Sequence, residues 1–215
     1  MTSNKYVTEA IKTLKRTLKE QNKQLPSKAS KLSYKYKPEV NDTAELNASE
    51  TRFYQELIGI LRWAVELGRI DIHFEVSRMS LYMASPRIGH FEQVLHIFGY
   101  LQNVPKLTLA MDPLMPNVSE DRFIEADWHD FYRDAKEEIP TNLPVPKGKP
   151  VSISCFVDAS HACDVVTCRL QTGIIIFLNQ APIHWYSKRQ STVEGSTFGS
   201  EYIAMKTVVE IIKSF

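Results

Sequence analysis

Three features of the sequence predict a mixed α/β chain, with a helical unit over about 1–105, a spacer over 106–149 and a β-β-β-α unit over 150–215. Apolar residues recur every three to four positions through the first hundred residues. Prolines crowd the stretch before 150, and three apolar strand-like runs then feed a last helical pattern. At 215 residues and 43% hydrophobic content the chain can bury one large core or two small ones.

The first element is an amphipathic helix over about 4–22. Val7, Ile11, Leu14 and Leu18 form its apolar stripe, and it ends before Pro26. Residues 1–37 are basic: Lys5, Lys12, Lys15, Arg16, Lys19, Lys23, Lys28, Lys31, Lys35 and Lys37 face only Glu9 and Glu20. A lysine-rich face of this kind binds polynucleotide phosphates without sequence preference, or is simply a solvated helix face. Formal net charge over the whole chain is +1, so any basic signal is local.

Residues 23–48 lack periodicity and carry Pro26 and Pro38, which reads as a linker or an extended segment. From Ser49, a candidate N-cap, the stripe Phe53, Leu57, Ile60, Leu61, Ala64 and Leu67 predicts a helix that stops at Gly68. Ile72, Val76, Met79 and Met83 mark a second helix, ended near Ser85-Pro86; the methionines read as core. His90, Val94, Ile97, Phe98 and Leu101 mark a third, ending before Pro105.

Leu107-Thr-Leu-Ala110 suggests a short strand, and Asp127 to Glu138 a short charged helix with Trp128 and Phe131 on one side. Pro140, Pro144, Pro146 and Pro150 then form a spacer. The last unit opens on Val151-Ser-Ile-Ser-Cys-Phe-Val-Asp158, a strand ending on a carboxylate. Thr172 to Leu178, the turn-like Asn179-Gln-Ala-Pro182 and Ile183 to Lys188 complete a meander. Ser196 to Met205 enters a helix whose expected buried stripe is Tyr202, Met205, Val209 and Ile212, with Glu201 beside it. Strand alternation puts Asp158 on the face opposite Cys155 and Val157, so both acids are expected at a rim.

Two stretches resemble copia-type retrotransposon polyproteins. Tyr54-Gln-Glu-Leu-Ile-Gly-Ile-Leu61, Arg69-Ile-Asp-Ile72, Val76-Ser-Arg-Met79, His90 and Gly99-Tyr-Leu101 are similar to the segment after the reverse transcriptase palm. Phe156-Val-Asp158-Ala-Ser, Thr172-Gly173, Pro182-Ile-His-Trp185, Ser187 to Gln190 and Ser200-Glu201-Tyr-Ile-Ala204 are similar to the ribonuclease H segment that follows. Ile70 stands where the family has a proline, Cys168 and Leu170 where it tends to have arginine and serine, and Gly199 where an acid is common. The chain holds no Asp-Asp pair, the mark of the polymerase site in this family, so no polymerase activity is expected.

The resemblance implies a truncated ribonuclease H-like unit and metal-dependent hydrolysis of the RNA strand of RNA–DNA hybrids. In it Asp158 and Glu201 are the catalytic and metal-binding acids, and magnesium is the cofactor. Family members place further acids later, so the set is incomplete and impaired activity is expected; the alternative is a non-catalytic remnant that binds nucleic acid or has no specific function. Read without the resemblance, Asp158 is a strand-end acid and Glu201 a helix N-terminal acid. The residues expected to touch nucleic acid are Lys12, Lys15, Arg16 and Lys19 on the first helix, and Lys188 and Arg189 after Trp185 and Tyr186. Partners implied are an RNA–DNA hybrid or other nucleic acid and the remaining parts of a polyprotein.

Other candidates are weaker. Glu194, three after Ser191, reads as a capping-box acid, and His161 and His184 as satisfied or solvent-facing histidines. Cys155, Cys163 and Cys168 form no CxxC pair and read as free thiols, which suits an intracellular setting, cytoplasm or nucleus. No apolar run is long enough to span a bilayer, and no membrane partner is expected.

Overall fold

The computed structural model describes residues 3–20, 22–27, 36–117, 129–133, 141–160 and 164–215. Lys28, Lys31, Lys35, Trp128, Pro140, His161 and Cys163 lie outside them, as does most of the helix expected over 127–138. The architecture is mixed: helices first, then a three-stranded antiparallel sheet in the order β1-β2-β3, then a helix.

The first core forms where four apolar stripes meet. Helix α1 (Asn4–Glu20) buries Val7, Ile11, Leu14 and Leu18, as its periodicity requires. Helix α2 (Ala48–Glu66) buries Tyr54, Leu57, Ile58, Leu61, Ala64 and Val65. Helix α3 (His73–Ser80) adds Val76 and Met79, and helix α4 (Ile88–Asn103) adds Val94, Ile97, Phe98 and Leu101. These residues pack as one cluster, with Met83 and Trp185 against its edge.

Local chemistry sets the boundaries. The cap of α2 is Asn47, two residues before the expected Ser49. Its side chain accepts from the Ser49 and Glu50 amides, and Glu50 returns a bond to the Asn47 amide. Asparagine wins because only from position 47 does the glutamate fall at the third helical residue. Past α2, Gly68 has φ 104°, a left-handed conformation that glycine adopts without a Cβ penalty. Helix α3 ends at Ser80, short of Met83, which packs from the following turn.

The stretch before α2 is extended but anchored. Arg87 donates to the Thr43 carbonyl at 2.6 Å, and Glu45 and Arg87 form an isolated bridge. His90 ties the same segment down: its Nδ1 accepts from the Arg87 amide (3.0 Å), and its Nε2 meets the Pro38 carbonyl (2.9 Å). An acceptor Nδ1 and a donor Nε2 define a neutral imidazole, in keeping with burial holding its pKa down.

Leu107-Thr-Leu-Ala110 does not form a strand; Thr108 makes a single bridge there, and the flanking prolines cannot extend a ladder. Helix α5 is one turn, His129–Tyr132, with Phe131 exposed. Strand β1 (Ile153–Ser160) pairs with β2 (Gln171–Leu178), and β2 with β3 (Ala181–Arg189). The β2–β3 turn is the pair Asn179-Gln180 rather than four residues, because Asn179 takes φ 55° and Pro182 fits inside edge strand β3. The spacer touches this turn, where Asn179 Nδ2 donates to the Pro113 carbonyl at 2.8 Å.

Helix α6 (Thr197–Ile212) is rotated from the expected orientation. Ser200, Ala204 and Val208 face the sheet, while Tyr202, Met205 and Val209 are exposed; only Ile212 of the expected stripe packs inward. Size explains the rotation: Ser200 and Ala204 let the helix approach the strands closely. Gln190 then fixes its N-terminal end, its amide donating to Thr172 Oγ1 and to the Ser200 carbonyl, both at 3.0 Å. The helix is capped by Ser196, which accepts from the Gly199 amide at 3.1 Å. Ser191 and Glu194 therefore do not form its capping box; Glu194 instead lays its carboxylate against Gly199, where a Cβ would meet it at 2.7 Å.

Candidate functional site

Pleating divides the sheet into two faces. Cys155, Val157, Ile174, Ile176 and Tyr186 form one, and Val208, Ile211 and Ile212 of α6 pack on it. Phe156, Asp158, Gly173, Ile175 and Trp185 form the other, as the pairs Phe156↔Ile175, Asp158↔Gly173 and Ile175↔Trp185 show. That second face lies against the helical unit. Trp185 Nε1 donates to the Val65 carbonyl at 3.1 Å, and Gln171 Nε2 to Ser77 Oγ at 3.1 Å.

Asp158 and Glu201 accordingly issue from opposite sides of the sheet. Asp158 is exposed on edge strand β1, and Glu201 half-buried in the first turns of α6. They can meet only around the β1 edge. Among the described residues no three His, Cys, Asp or Glu are grouped as a metal site would need. Magnesium takes several hard oxygen ligands in near-octahedral geometry, so two carboxylates separated by a strand do not fit it as they stand. No hydrolytic step is assigned to them.

A cavity of about 510 Å³ opens beside Asp158, between the second sheet face and the start of α3. Ile70, Phe74, Phe156, Ile175 and Trp185 supply its apolar lining, and His73, Ser160, Gln171 and Ser187 its polar groups. Burial, followed by the nearby His184, lowers the His73 pKa to about 4, so its imidazole is neutral near pH 7. His184 is half-buried, with its Nε2 unpartnered among the described residues and its ring edge-on to Phe215 at 6.0 Å. Sequence reasoning missed the cavity because it arises between two units whose docking no single segment encodes.

The expected nucleic-acid contacts separate into three groups. Lys12, Lys15, Arg16 and Lys19 are all exposed on α1, with Lys5 and Lys23 beside them. Lys188 is exposed at the end of β3. Arg189 is engaged elsewhere: its Nη1 donates to Asp164 Oδ2 at 2.8 Å. Burial raises the Asp164 carboxyl, but hydrogen bonds from Thr167, Val166 and Arg189 outweigh it and hold the pKa below the usual range. Among the described residues, no helix is long and apolar enough to cross a membrane.

No family model matches the chain, and no solved structure matches it. Three curated relatives are similar in sequence. The putative transposon Ty5-1 protein of Saccharomyces cerevisiae is 25% identical over 160 residues, covering 74% of this chain and 41% of that protein. The retrovirus-related Pol polyproteins from transposons RE2 and RE1 of Arabidopsis thaliana are 24% and 25% identical over 149 residues, 69% of this chain and 8% of each polyprotein. This chain is thus related to retrotransposon polyproteins and spans a minor part of the length of each relative.

Proposed function

We propose that this chain serves a retrotransposon polyprotein as a nucleic-acid-binding segment, gripping the sugar–phosphate backbone through α1. The observation that carries this is the one-sided charge of α1. Lys5, Lys12, Arg16 and Lys19 are spaced by seven, four and three residues, so they line one side of the helix, opposite the stripe buried in the core. The row is about 21 Å long at 1.5 Å per residue, enough to follow several successive phosphates. Lys15 widens the row, Lys188 is a separate contact, and Arg189 supports the fold through Asp164. The setting is intracellular, cytoplasm or nucleus, and other parts of a polyprotein are the natural protein partners. Titrating a labelled RNA–DNA hybrid at several salt concentrations tests it: affinity should fall steeply with salt, and a flat salt response overturns the reading.

Hydrolysis of the RNA strand of such a hybrid is the second reading, favoured by the exposed place of Asp158 on an edge strand. Asp158 and Glu201 do not fit magnesium as they stand, so activity is expected to be low. Hybrid cleavage by the folded chain with magnesium, beside Asp158→Asn, decides it. Cleavage abolished by the substitution supports a working site, and equal rates in the two proteins remove it.

A further inference from the structure

We propose that the cavity beside Asp158 is a pocket for one unpaired nucleobase of a bound strand; this rests on the nucleic-acid reading above and adds a site to it. A volume of about 510 Å³ lies within the range of small-ligand pockets. On the second sheet face and around the start of α3 the lining includes the aromatic Phe74, Phe156 and Trp185 and the aliphatic Ile70 and Ile175. Aromatic walls suit a flat ring, and every base offers one.

Polar groups are few and mostly neutral. His73 is uncharged near pH 7, and Gln171 and Ser187 form a fixed pair at 2.9 Å. Such groups address the hydrogen-bonding edge of a neutral heterocycle. Among the described lining residues the charged one is the Asp158 carboxylate, which repels phosphate, so the base enters and its phosphates stay outside. Phe156 stands ready at the same rim: it is 70% exposed, shares the face of Asp158 two residues away, and is braced edge-on by Phe177 at 5.7 Å. Gly173, opposite Asp158, leaves the space open, since a Cβ built there meets nothing within 4 Å.

Two substitutions probe the pocket without removing a buried side chain. Phe156→Ala deletes an exposed ring. Gly173→Val fills the empty space with a side chain that suits a strand. The full chain is titrated, without added metal, into a labelled single-stranded DNA 12-mer and into a 12-mer of the same length made of abasic sites. Lys12→Glu with Lys19→Glu serves as the backbone-contact control. The intact strand should bind about tenfold more tightly than the abasic one. Both pocket variants should bring the intact strand down to the abasic level, and the control should weaken both strands alike.

Equal binding of the two strands by the unaltered chain, or pocket variants that bind the intact strand as tightly as it does, overturns the pocket. If the control still weakens both strands, the backbone reading survives that result. No binding of either strand overturns both.

Discussion

Arg69 and Asp71 hold each other across a single intervening residue. The arginine Nε donates to Asp71 Oδ1 at 2.9 Å and its Nη2 to Asp71 Oδ2 at 2.8 Å, a two-pronged pair. Tyr100 of α4 adds a hydroxyl bond to the same Oδ2 at 3.0 Å, so the turn after α2 is fastened to a helix well beyond it in the chain. Arg69 is fully buried. Removing one partner of a buried pair strands the other charge, so Arg69→Ala should destabilise the chain by about 3 kcal/mol. Arg69→Lys should recover only part of this, because an ammonium cannot make the fork. Urea denaturation checks both, and equal stability of Arg69→Ala and the unaltered protein would show that the pair contributes nothing.

The orientation of α6 yields a prediction that the periodicity of its sequence reverses. Ala204 faces the sheet and Met205 faces outward. Ala204→Leu should therefore lift the helix from the strands at a cost of about 1–3 kcal/mol. Met205→Gln should change stability by less than about 0.5 kcal/mol. Thermal melts of the two variants discriminate, and the opposite ranking would mean that the helix is turned the other way.

Glu75 is 1% exposed, and among the described residues neither carboxylate oxygen makes a hydrogen bond of good geometry, although the Gln93 amide lies close enough to favour the charged form. Burial raises its pKa, against the opposing pull of Arg78, His96 and Gln93. The folded state thus holds the Glu75 proton more tightly than the unfolded state. The stability this contributes is complete below the ordinary glutamate range and is lost as pH rises through the raised value. Glu75→Gln mimics the protonated form, so it should stabilise the chain near neutral pH by about 1 kcal/mol or more. The gain should shrink on acidification. Denaturation midpoints at neutral and acidic pH measure it, and a pH-independent gain refutes the account.

For the row on α1, Lys12→Gln, Arg16→Gln and Lys19→Gln together should reduce the slope of log K against log salt. Each phosphate that the variant no longer neutralises lowers that slope by about 0.7–0.9. Arg189→Gln should leave the slope unchanged while lowering stability through the loss of its bond to Asp164. A slope that responds to Arg189 and not to α1 would move the interface to the end of β3.

Legibility follows the range of the interactions. Helices α1, α2 and α4 are readable because their buried stripes repeat within each segment, and Gly68 announces its own stop. The face of α6 is not, because apolar Tyr202, Met205 and Val209 outscore Ser200 and Ala204 on any hydrophobic count. What decides that face is a close approach secured by Gln190, ten residues before Ser200 in the chain. Arg189 reads as a free cation for the same reason: its partner Asp164 sits 25 residues away, across β2. The Asp158 and Glu201 carboxylates can be placed on their elements from sequence, but which side of the sheet each occupies depends on which strand residues α6 covers.

The docking of the sheet on α2 and α3 also bears on how the chain reaches its final form. Trp185 meets Val65 across 120 residues of sequence, and Val165 meets Glu39 across 126. Contacts so distant in sequence slow folding, because a long loop must close before any of them forms. Helices α2, α3 and α4 close among themselves over much shorter spans. They are expected to assemble first and to present Val65, Ser77 and Glu39 as a ready template, so that a substitution in the helical core delays the sheet as well as weakening its own layer.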